Sequence, residues 1–144
     1  MATQFYEAPV APSVEAAAPR PDPLGQQVRG LLADWYSSSG QLRRRTRVRY
    51  PYPQLILVTP LDGAEHSAGV TFVCCGKDLS PQGIGIFHPQ PLASRRVILT
   101  FASRSPQSVS ILAILDWCRF TRLGWYESGG RLLQVVPSPT AGDA

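Results

Sequence analysis

Leu55-Ile56-Leu57-Val58-Thr59, then Pro60-Leu61-Asp62-Gly63, then Gly69-Val70-Thr71-Phe72-Val73-Cys74-Cys75 reads as two β-rich runs separated by a turn. The runs carry branched and aromatic side chains, the interruption carries Pro, Asp and Gly, and together they predict a β-hairpin. The same punctuation continues toward the C-terminus. Gly83 to Phe87 predicts a third short strand, broken by Pro89 and Pro91, and Arg96 to Phe101 a fourth, ending before Ser103 to Gln107. Val109 to Trp117 and Trp125 to Val136 make a last pair. Ile111-Leu112-Ala113-Ile114-Leu115 has the apolarity of a buried helical turn, but its length and β-rich neighbours favour a central strand. Six short strands at even spacing predict a mainly β domain, a small antiparallel barrel or sandwich. Gly129-Gly130 within the last run predicts a bulge where such a sheet bends.

Working back toward the N-terminus, Ser37-Ser38-Ser39-Gly40 and an arginine run form a polar connector ahead of Pro51-Tyr52-Pro53. Before the connector, Asp22 has the character of an N-cap with Pro23 at the first helical position. Leu24, Val28, Leu31, Leu32 and Trp35 then recur at helical spacing. This predicts a short amphipathic helix. Gly25 and Gly30 each cost it about 1 kcal/mol relative to Ala, so it needs a surface, on the main domain or on a partner. Residues 1–21, with Pro9, Pro12, Pro19 and Pro21, have too little apolar surface to offset the entropy of ordering. The expected organisation is a disordered leader (1–21), helix and connector (22–41), a β domain (42–137) and a flexible tail (138–144).

The 144 residues suffice for one domain with a modest core, and 44% hydrophobic content is that of a globular chain. No apolar run reaches the roughly 18 residues of a membrane span, and Met1 to Glu7 lacks the basic and apolar regions of a signal peptide. A cytoplasmic location is expected. Cys74, Cys75 and Cys118 have no metal-ligand spacing, and adjacent strand residues face opposite ways, so reduced thiols acting as small hydrophobes are expected. His66 and His88 stand beside turn residues without a second ligand and read as surface residues. Trp117, Trp125 and Tyr126 have the chemistry of base-stacking platforms, but on strands aromatic residues more often serve packing. No catalytic triad, paired carboxylates, HExxH or Walker pattern is present, so neither enzyme, metal nor cofactor is expected.

Two segments carry chemistry. Five of the fourteen basic residues, Arg43, Arg44, Arg45, Arg47 and Arg49, fall within seven positions, making the net charge of +4 strongly local. Such a field attracts anions: nucleotides, nucleic acid or acidic headgroups. Arginine's planar fork matches phosphate oxygens and also the O6 and N7 acceptors of guanine, and its face stacks on a base. The second segment is Asp78-Leu79-Ser80-Pro81-Gln82-Gly83. Asp78 can accept from the N1 and N2 donors of guanine, Gly83 permits close approach or a positive φ, and alone the segment is a turn with Asp and Ser bonding local backbone.

Arg44-Arg45-Thr46-Arg47-Val48-Arg49-Tyr50-Pro51 followed by Asp78-Leu79-Ser80-Pro81-Gln82-Gly83-Ile84 resembles the PilZ domain, the bacterial receptor module for cyclic di-GMP. That family shows Arg-x-x-x-Arg, commonly preceded by another arginine, then Asp/Asn-x-Ser-x-x-Gly about thirty residues later. The likeness extends through Ile84-Gly85-Ile86-Phe87, Asp116-Trp117-Cys118-Arg119 and Trp125 to Leu133, covering about residues 42 to 136. Each motif alone is weak; their order and separation make the match specific. Arg43 and Arg47 satisfy the same spacing, but Tyr50-Pro51 and the preceding Arg44 fit the family's flanks better in the Arg45/Arg49 frame. The resemblance implies a six-stranded antiparallel β-barrel with the arginine motif on a loop that closes over ligand. By position, Arg45 and Arg49 bind phosphate and guanine, Arg44 assists, Asp78 and Ser80 hold a guanine, and Gly83 shapes the turn. It further implies a non-enzymatic receptor of cyclic di-GMP that signals to an unidentified protein partner. Ligand-independent protein adaptors exist in the same family, and a small barrel binding nucleic acid through a basic loop is the remaining reading, with no specific nucleic acid expected.

Overall fold

The computed structural model describes residues 22–36, 49–64, 66–67, 69–102 and 108–139. The expected leader and most of the connector and tail lie outside them, as do Arg43, Arg44, Arg45 and Arg47.

The helix forms as the sequence predicts, α1 over Pro23–Trp35. Asp22 caps it, its carboxylate accepting from the Gly25 N–H at 3.0 Å, and Pro23 occupies the first turn, where no intrahelical N–H is needed. Val28, Leu31 and Leu32 are buried in the main core cluster, beside β-domain residues such as Tyr52, Phe101 and Leu132. Burying three such side chains stabilises the docked helix by about 5 to 8 kcal/mol, well beyond the roughly 2 kcal/mol that its two glycines cost. The surface that α1 needs is therefore its own barrel. Trp35, expected on the apolar stripe, is instead 44% exposed and packs edge-on against Tyr36.

Seven strands follow: β1 (Tyr50–Pro51), β2 (Leu55–Pro60), β3 (Phe72–Leu79), β4 (Gly83–His88), β5 (Arg96–Phe101), β6 (Val109–Phe120) and β7 (Tyr126–Val136). They are hydrogen-bonded in the order β1-β3-β2-β5-β6-β7-β4, and β4 returns to β3. The last pairing closes an antiparallel barrel of six strands, with the two-residue β1 added outside it on β3. The protein is thus mainly β, a closed six-stranded antiparallel barrel with one short helix ahead of it. Alternate residues of the strands fill the interior, among them Ile56 and Val58, Ile84 and Ile86, Val97, Leu99 and Phe101.

Three local departures from the sequence reading shape the surface. β3 starts at Phe72 and runs on to Leu79, because β1 pairs with its end, Tyr50 opposite Leu79 and Pro51 opposite Asp78. Asp78 therefore sits on a strand rather than in a turn. The irregularity predicted at Gly129-Gly130 falls there, but the additional residue is Asp116 on the facing strand, between the pairs Leu115 with Gly130 and Trp117 with Gly129. Finally, His88 is fully buried rather than at the surface, whereas His66 is exposed. It continues the inward alternation of Ile84 and Ile86, a period-two signal that outweighs the neighbouring Pro89. Its ring stacks on Tyr126 at 5.6 Å, and Nδ1 lies 2.6 Å from the Gln90 carbonyl. A carbonyl only accepts, so Nδ1 carries the proton and Nε2 accepts from the Ser128 hydroxyl at 2.7 Å. Burial pushes the His88 pKa down, an effect partly countered by the Gln90 bond.

The thiols follow the strand pleat. Cys74 faces inward, its pKa pushed up to about 12 by burial and secondarily by Cys75, which lies on the opposite face; Cys118 is exposed, and all three are free.

Candidate functional site

Asp78, Gly85, Gly129 and Trp117 stand in one row across β3, β4, β7 and β6, each register-paired with the next. The two central positions lack side chains, and the two outer side chains lean over them. A Cβ on Gly85 would lie 2.9 Å from Asp78 Oδ1, and one on Gly129 would lie 2.5 Å from Trp117 Cζ2. Both distances fall below ordinary contact, so only glycine lets the carboxylate and the indole settle there.

Gly83, two residues before Gly85 on the same face, is covered in the same way. Its Cβ would lie 2.5 Å from Arg49 Nη2 and 3.1 Å from the Gly130 carbonyl oxygen. Close approach is therefore what the glycine supplies here; among the described glycines a positive φ belongs to Gly124. Arg49 precedes β1, and the pairing of β1 with β3 delivers its guanidinium to Asp78, Nη1 donating to Oδ1 at 3.2 Å. The arginine segment and the Asp-x-Ser-x-x-Gly segment thus meet in space. Their side chains are 43% and 23% exposed, and an ion pair so placed stabilises the fold by only about 0 to 1 kcal/mol. Little is lost if either partner is turned toward a ligand.

Ser80 is 3% exposed and its hydroxyl serves the turn between β3 and β4. Oγ accepts from the Gly83 N–H at 3.0 Å and from the Gln82 N–H at 3.3 Å, while the Ser80 and Gly83 backbones bond each other. The serine sets the start of β4, and through it the position of the glycine floor. Of the expected ligand residues, the structure brings together Arg49, Asp78 and Gly83, with Ser80 beneath them; Arg44 and Arg45 lie outside the described residues.

The sequence reading placed Trp117 in packing. In the structure it is 43% exposed, lying flat over Gly129. The bulge at Asp116, which the pattern of β6 alone does not announce, turns Trp117 outward onto the glycine face. Charged groups border the floor. Glu127 is 4% exposed and bonds both Lys77 and Arg119, whose hydrogen bonds hold its carboxyl below the usual carboxylate range. The Arg119 guanidinium also sits 5.8 Å from the Trp117 ring. On the other side Arg131 grips Asp116 with two hydrogen bonds of 3.1 Å, which raises the arginine's pKa. The result is a glycine floor covered by a guanidinium and a carboxylate at one end and by an indole at the other. A planar, donor-bearing, anionic molecule fits that chemistry.

No known family's sequence profile matches the chain, and no curated protein does. Among solved structures, MrkH of K. pneumonia in its apo state is similar to it at 14% identity with a TM-score of 0.45, over 65% of this chain and 45% of that one. A second crystal form of MrkH from K. pneumonia is similar at 11% identity with a TM-score of 0.37, over 65% and 43%. The chain thus spans less than half the length of the proteins it overlaps.

Proposed function

We propose that this chain is a non-enzymatic receptor for cyclic di-GMP that passes the bound state to a partner protein. The observation that carries the reading is the Arg49 to Asp78 contact above Gly83 and Gly85, which unites two segments well separated in sequence. In the bound state Arg49 turns its fork from Asp78 to a phosphate and the guanine O6/N7 edge, and Asp78 accepts from N1 and N2 of a guanine. Arg44 and Arg45, upstream on the same segment, supply further phosphate donors. Ser80 holds the turn, Gly83 and Gly85 give the ligand room to approach, and Trp117 offers a face on which a base stacks, worth about 1 to 3 kcal/mol. The ion pair that must be given up is worth less than the charge-assisted bonds gained, about 1.5 to 3 kcal/mol for each contact. The exchange favours ligand.

Calorimetric titration with cyclic di-GMP tests the reading. Wild-type protein is expected to bind in the micromolar range, near −8 kcal/mol, with Arg49→Ala and Asp78→Ala weakened roughly tenfold to a hundredfold. Absence of heat at tens of micromolar ligand would contradict it and favour a ligand-independent adaptor. Equal weakening by every arginine substitution, with a steep salt dependence and no preference for guanine, would identify a nucleic-acid binder instead.

A further inference from the structure

On its β6 side the β6–β7 hairpin runs past β5, which accompanies β6 only from Val109 to Ile114; β4 stays with β7 up to Tyr126, its first residue, so residues 121–125 alone lie beyond the last strand pairs. The turn beyond is firmly built. Thr121 N–H donates to the Trp125 carbonyl at 2.7 Å, Thr121 Oγ1 accepts from the N–H groups of Leu123 and Trp125, and Gly124 takes a φ of 84°. A rigid turn of this kind normally carries polar residues at its apex. Here Leu123 is 86% exposed, with Phe120 at 63% and Trp125 at 44% beside it.

The charges around these residues are of one sign. Arg119 and Arg122 lie within the projecting segment, no acidic residue occurs between Asp116 and Glu127, and those two carboxylates are engaged by Arg131 and by Lys77 and Arg119. Arg122 has no ion pair among the described residues and is exposed. An exposed apolar turn with the unpaired Arg122 beside it suits a bilayer surface, which offers apolar depth beneath a layer of anionic phosphate.

We propose that the β6–β7 tip docks on an anionic phospholipid bilayer. Leu123 and Phe120 enter the headgroup boundary, Trp125 rests at the level where tryptophan is favoured, and Arg122 binds lipid phosphate. The proposal does not rest on the nucleotide reading, since Phe120, Arg122, Leu123 and Trp125 have no role in that site.

Co-sedimentation of the full chain with vesicles of phosphatidylcholine, with and without about 30 mol % phosphatidylserine, tests it. The protein is expected to pellet with the anionic vesicles, Leu123→Ser to lose about tenfold in partitioning, and Arg122→Ser about fivefold on anionic vesicles alone. Both side chains are exposed, so melting temperatures should stay at the wild-type value. An Arg43→Ala/Arg47→Ala variant should pellet as wild type does. Loss of binding in that variant with none in Leu123→Ser would place lipid affinity in the arginine run and overturn the proposal. So would failure to bind either vesicle, or concentration-dependent self-association without lipid that Leu123→Ser abolishes.

Discussion

Single glycines decide what the site residues can do. At Gly83 an added methyl group meets the movable end of Arg49 at 2.5 Å and the less yielding Gly130 carbonyl at 3.1 Å. Gly83→Ala should therefore fold, with a small drop in melting temperature, while cyclic di-GMP affinity falls about tenfold because Arg49 is pushed off its place. Adding the same change to Arg49→Ala should cost no further affinity, a non-additivity that paired titrations would show. His88 sets a separate expectation. Its folded pKa lies below the ordinary 6.5, so as pH falls below 6.5 the unfolded chain takes up a proton that the buried ring refuses. Stability is then unaffected above 6.5 and declines from there down through the depressed pKa. Urea midpoints should fall between about pH 7 and about pH 5, and His88→Gln should flatten that slope; an unchanged slope would assign the proton elsewhere. Glu127, held low by Lys77 and Arg119, loses its contribution only in more acid solution, below its ordinary 4.5.

Among the elements, α1 was legible because its signals are local. Asp22, Pro23 and the Val28, Leu31, Leu32 spacing all act within one or two turns. Asp22→Ala should destabilise the protein by about 1 kcal/mol, measurable by chemical denaturation, through loss of the cap to the Gly25 N–H. The strands were legible as runs, less so at their ends. β3 continues through Asp78 because two residues of β1, one of them a proline, pair with it, and nothing near Asp78 announces that distant partner. Trp117 packs across strands, as expected of an aromatic residue on a strand, but the face it packs on was not legible, for a similar reason. Strand alternation counted from Ile111, Ala113 and Leu115 directs it inward, until the additional residue Asp116 shifts the phase and sets it over Gly129. Bulges depend on the facing strand, so a single strand's pattern does not reveal them. The Arg49 and Asp78 pairing was legible only through the resemblance, since their meeting depends on β1 joining β3.

For the molecule as a whole, barrel closure builds the floor. β4 pairs with β3 on one side and with β7 on the other, so Gly85 comes to lie between Asp78 and Gly129, and Trp117 follows from β6. An open sheet would separate these edges. Among the described residues no helix is long and apolar enough to cross a membrane. The central claim, that cyclic di-GMP lies on the glycine floor between Arg49, Asp78 and Trp117, is tested most directly by nuclear magnetic resonance titration of the labelled chain. Addition of cyclic di-GMP should shift the Gly83, Gly85 and Gly129 amides and the Trp117 indole N–H together, while Gly30 and Gly63, which face open space, stay in place. Shifts confined to α1 or to the hairpin tip, or none at all at saturating ligand, would contradict it.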